Sequence, residues 1–107
     1  MRKVSKVVNL SGNAYYRVHL QLINPILPVK LSDKELDVLS YFLMFGSLSK
    51  ESRKEIREKL GMSFGSLTNH IRNLKGKGFI LANDELNSLI VPDSSSQEYI
   101  FKLVNNG

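Results

Sequence analysis

The 107-residue chain has no cysteine, no tryptophan, three prolines and two histidines. Without cysteine there is neither a disulfide framework nor a thiolate metal site, which fits an expected cytoplasmic setting. His19 and His70 stand far apart in the sequence, and neither belongs to a ligand spacing such as H-E-x-x-H. The "GKG" at 76–78 lacks the spacing of a phosphate loop and precedes a β-type run instead of a helix. Ser94, Ser95 and Ser96 lie in a polar stretch with no nucleophile elbow around them. The expectation is a protein with no catalytic residue, metal site or cofactor. The longest apolar run, "YFLMF" at 41–45, is too short to cross a bilayer, and the first residues show no signal-peptide apolar region.

Charge is what the chain has in excess. The net charge is +5, the pI is near 9.6, and the distribution is blocked. Residues 1–31 carry +5 with no acid, residues 32–49 carry −2, residues 50–78 carry +5 again, and residues 79–107 carry −3. Two basic blocks between acidic ones suit a polyanionic partner better than evenly spread solubilising charge does. The length and the 42% hydrophobic composition suit one globular domain.

Residues 4–23 alternate like strands. "KVVNL" and "YYRVHLQLI" flank "SGNA", where Gly12 and Asn13 supply a hairpin turn, and Val18, Leu20 and Leu22 alternate with Arg17, His19 and Gln21. "NPILPVK" holds two prolines and reads as an extended connector. A capping box, "SDKE", opens a first helix at Ser32, which Gly46 ends. That helix has two apolar stripes, Leu36, Leu39 and Leu43 on one side and Val38, Tyr41 and Phe45 on the other. It therefore needs cover on both sides, from the N-terminal hairpin or from a dimer partner.

A second helix begins at a capping box from Ser52 to Glu55, or one turn earlier at Ser49, and Gly61 closes it. Met62 bridges to Ser63, the N-cap of a third helix running from Phe64 to about Lys75. Phe64, Leu67, Ile71 and Leu74 form its apolar stripe; Gly65, Ser66, Asn69, Arg72 and Asn73 lie opposite, with Thr68 and His70 at the margins. "FILA" and "SLIV" around "NDELN" read as a β-hairpin turning at Asn83 and Asp84. "YIFKLV" reads as a last strand.

The order helix, tight helix pair, Lys/Gly exit, β-hairpin resembles a winged helix-turn-helix DNA-binding domain, of the kind found in MarR-type and ArsR-type transcription regulators. The carriers are "LSDKELDVLSYF", "KEIREKLGMSFGSLTNHIRNL" and "KGKGFI". "SFGSLTNHIRNL" is also similar to the reading helix of LuxR-type regulators, which lack a following hairpin. Arg57 departs from the pattern, because the residue after Ile56 would ordinarily be an alanine where the helices press together. The resemblance implies an α/β (α+β) fold: an N-terminal hairpin and connector at 1–30, a winged helix-turn-helix at 31–91, and a loop and C-terminal strand at 92–107.

The implied function is sequence-specific binding of double-stranded DNA in transcription regulation, with helix 63–75 in the major groove. A groove about 12 Å wide admits one helix and is read by short polar side chains, with asparagine suited to adenine. Ser66, Asn69, Asn73 and Arg72 are the expected base readers. Ser63, Thr68, His70, Lys75 and Lys77, with Arg53, Lys54 and Arg57 on the second helix, are the expected phosphate contacts. The acidic turn at Asp84 and Glu85 suits phosphates poorly, and the basic "MRKVSK" reads equally as a groove-following arm or as a solubilising end. A homodimer would have to form through helix 32–45 or the terminal strands. The rival expectation is a winged-helix interaction or assembly module in a viral or replication complex, with little or no DNA binding. An origin-recognising replication initiator is a third.

Overall fold

The computed structural model describes residues 12–92. Gly12, with φ +58°, leads into a helix, α1 (Ala14–Ile23), where alternation predicts a strand. The segment satisfies both periods. Tyr16, Leu20 and Ile23 fall at i, i+4 and i+7, so a helix can turn all three toward the core, and they do pack there. His19 and Leu20 are both buried, which adjacent residues of a strand covered on one face cannot be. His19 Nε2 donates to the Ile90 carbonyl at 2.9 Å, tying α1 to the far end of the described chain.

The connector is partly helical, not wholly extended. α1 runs into a 3-10 turn, Asn24–Ile26, with Pro25 at its start, where a missing N–H costs nothing. The Asn24 side chain then accepts from Leu31 N at 2.8 Å and donates to Leu31 O at 3.1 Å, holding the connector against the helix.

α2 (Asp33–Phe45) begins at the Ser32 capping box with both of its hydrogen bonds made, and Gly46 ends it at φ +78°. Leu36, Val38, Leu39, Phe42 and Leu43 are buried, so apolar residues from both expected stripes are covered. α1 supplies cover on one side, fixed by the Arg17–Asp37 ion pair and by Asn13 Nδ2 donating to Ser40 Oγ at 3.0 Å. Tyr41 and Phe45 stack on each other nearer the surface.

α3 (Lys50–Leu60) starts at Ser49, whose Oγ accepts from Ser52 N; Ser52 itself is buried inside the first turn. Gly61 takes φ +62°, Met62 follows, and Ser63 caps α4 (Phe64–Gly76). Ile56 from α3 and Leu67, Ile71 and Leu74 from α4 join Leu20, Leu39, Phe42 and Phe79 in one continuous core.

The α/β winged-helix expectation is overturned here. The described residues form four helices and two short 3-10 turns, with no strand and no sheet. After α4 the chain turns back through Asn83 and Asp84, but its two arms meet only at an isolated antiparallel bridge, Ile80 with Leu86. Asn87 ends the pairing. Its side chain donates to Gly78 O at 2.8 Å and accepts from Leu89 N at 2.9 Å, which sends 88–90 into a 3-10 turn instead of a strand. Ile90 is then buried against the core. The expected N-terminal hairpin fails likewise over 14–23; its first arm, the "MRKVSK" segment and the last strand lie outside the described residues. No described helix is long and apolar enough to cross a membrane.

Candidate nucleic-acid interface

α4 is held by one side. Leu67, Ile71 and Leu74 are buried, while Asn69, Arg72 and Asn73 are exposed and Ser66 is half-buried. Ser66, Asn69 and Asn73 stand at i, i+3 and i+7, so they form one row opposite the anchors. Arg72 Nη1 donates to Asn69 Oδ1 at 2.8 Å. That bond turns the Asn69 amide so that its NH2 remains a donor, and it extends a guanidinium beside it.

The leading end of α4 is a second feature. Ser63 is exposed, and its Oγ accepts from Ser66 N at 3.1 Å, which satisfies one of the free helix-start donors. Phe64, assigned by its spacing to the apolar stripe, is instead 68% exposed. It is the first helical residue, and the core contacts of its stripe begin one turn later, at Leu67. The Arg57 guanidinium lies over its ring, 5.6 Å from the centroid. Arg57 thus supports the start of α4 with a cation–π contact.

Three expected phosphate contacts and one base reader meet differently. Thr68, Arg72 and Lys75, at i, i+4 and i+7, line the flank of α4 beside the row of Ser66, Asn69 and Asn73. With Arg53 of α3, Ile71 and Asp84 they surround a cleft of about 390 Å³. Asp84 comes from the turn after α4 and spans the cations: its carboxylate is 2.6 Å from Lys75 Nζ and 3.4 Å from Arg53 Nη2. The Lys75 ammonium is the main reason that the Asp84 carboxyl is held below its ordinary value; Arg53 contributes to the same effect. Thr68 donates its hydroxyl to Phe64 O at 2.9 Å, one turn back.

The remaining expected residues do not join either group. Lys77 Nζ is 2.6 Å from Glu35 Oε1 and donates to Lys30 O at 2.9 Å, facing the start of α2. Burial would raise the Glu35 carboxyl, but Lys77 and the backbone and hydroxyl of Ser32 together bring it below its ordinary value. Lys54 is exposed and has no ion-pair partner among the described residues. His70 is half-buried. Arg53, Arg57 and Asp84 therefore have neighbours that local spacing gave no means to assign, because each partner lies on another element. No group of three or more His, Asp or Glu among the described residues could hold a metal ion. Compared with known proteins, the chain matches no protein-family model, no curated protein and no solved structure.

Proposed function

We propose that the protein binds double-stranded DNA through the α3–α4 pair, with α4 in the major groove, and acts in transcription regulation. One observation carries this reading: the two sides of α4 are unlike, with Leu67, Ile71 and Leu74 anchored in the core and Asn69, Arg72 and Asn73 presented outward. Asparagine bonds adenine through N6 and N7 from the exposed face of a groove-seated helix, and Arg72 beside it has guanine or a phosphate within its reach. Exposed Phe64, at the leading end, suits a thymine methyl group. Lys54 and Arg53 on α3 suit the backbone beside the groove, where they set register without reading sequence. Two copies would suit a palindromic site, and the Tyr41–Phe45 edge of α2 is a candidate contact between them.

A labelled mixed-sequence duplex, titrated with the protein at low and moderate salt, tests the reading. Steeply salt-dependent binding is the expected result. Absence of binding at micromolar protein in low salt overturns it and favours a protein partner.

A further inference from the structure

The acidic turn that suits phosphates poorly is placed where a phosphate would sit. Asp84 is the only described residue other than glycine with a positive φ, +68°. Its backbone N–H donates to Leu81 O at 2.9 Å, and Leu81 N donates to Glu85 O at 2.8 Å, so the turn is closed around it. That closure points one carboxylate at Lys75 and Arg53 together. The cations are incompletely served. Arg53 makes one long bond to Asp84, and its Nε is buried without a hydrogen-bond partner among the described residues. Arg72 reaches the same cleft from the reading face. One carboxylate thus serves two cationic side chains, and a third, Arg72, lines the same open cavity.

We infer that the cleft bounded by Arg53, Thr68, Arg72 and Lys75 is a binding site for a phosphodiester of the nucleic-acid backbone, and that Asp84 is its resting occupant. A phosphodiester presents two charged non-bridging oxygens on a tetrahedral centre, which match the guanidinium fork of Arg53 and leave the second oxygen for a neighbouring cation. When it enters, the 81–86 turn releases Lys75. Asp84 therefore lowers affinity for every sequence alike and leaves discrimination to the row of asparagines. The inference rests on the DNA-binding reading, but the cleft can be tested without DNA.

Asp84→Asn removes the charge and keeps the turn, because asparagine tolerates the left-handed region. Glu85→Gln, one residue away and exposed, changes the net charge equally without touching the cleft. The expected result is that Asp84→Asn tightens binding of mixed duplex by about tenfold, and Glu85→Gln by less than about threefold. In a Lys75→Ala background the gain from Asp84→Asn should largely vanish. In a second arm, inorganic phosphate is titrated into each protein without DNA, and backbone amide signals are followed by NMR. Phosphate should move the Thr68, Arg72 and Lys75 signals in the Asp84→Asn protein at lower concentration than in the unaltered protein. Equal gains from the two charge removals overturn the inference and leave DNA binding standing. Still amides in the Asp84→Asn protein overturn it too. A protein that binds no duplex yet shows the phosphate shifts keeps the anion site and overturns the DNA reading alone.

Discussion

Lys77, one residue beyond α4, sets its ammonium 2.6 Å from the carboxylate of Glu35 in the first turn of α2. Glu35 is 4% exposed and also accepts from Ser32 N at 2.8 Å, so one side chain closes the capping box of α2 and anchors the exit of α4. A buried carboxylate needs that cation, because burial without a partner would force it toward the neutral form.

Lys77→Met keeps the aliphatic stem and removes the ammonium. It should destabilise the protein by about 2 kcal/mol, measured by urea unfolding at neutral pH. The salt dependence of DNA binding should stay as it is. A slope lowered by about one unit would instead make Lys77 a phosphate contact.

The same pair sets an acid dependence. The folded-state pKa of Glu35 is depressed, so its contribution is complete above the ordinary glutamate value and is lost as pH falls through the folded value. Stability should therefore drop below about pH 4, and Lys77→Met should flatten that limb. Urea unfolding of both proteins between neutral pH and pH 3 checks this. Parallel curves would assign the acid sensitivity to other carboxylates.

Asn69→Ala should relax preference at one base pair, costing about 1–3 kcal/mol there and little on mixed sequence. Selection of bound duplexes from a random pool, followed by competition against scrambled DNA, reads the effect. Equal losses on every duplex would show that Asn69 does not contact a base.

Lys54→Ala should behave in the opposite way, weakening all duplexes together and lowering the log–log salt slope by about 0.9. Lys54 is exposed and unpaired among the described residues, so its removal breaks no ion pair there.

Phe64→Ala and Leu67→Ala probe which side of α4 is anchored. Phe64 is exposed, so its loss should change stability by about 0.5 kcal/mol or less. Leu67 is 2% exposed, and its truncation should cost about 3 kcal/mol. Thermal unfolding of the pair compares them directly. Similar large losses would put Phe64 in the core with the rest of its stripe.

The starts of α2 and α4 and the stops of α2 and α3 are local events, and the sequence alone determined them. Ser32 with Glu35, Ser63, Gly46 and Gly61 each act within about one turn of themselves, by meeting free backbone N–H groups or by taking a left-handed conformation. The 3.6 period of Leu67, Ile71 and Leu74 likewise set the buried side of α4.

Tertiary structure decided the rest. Residues 14–23 carry apolar side chains at both helical and strand spacing, and the exposed apolar side of α2 selected the helix, because only a helix brings Tyr16, Leu20 and Ile23 to it together. The arms after α4 were too short to choose for themselves; the Asn87 amide took the bonds that a strand ladder would have used. Lys77 and Glu35 lie 42 residues apart, and Arg53 and Asp84 lie 31 apart. Periodicity reports which face of an element is apolar, but a charge finds its partner only after separate elements have packed, and that packing also turned an acidic turn into the occupant of a basic cleft.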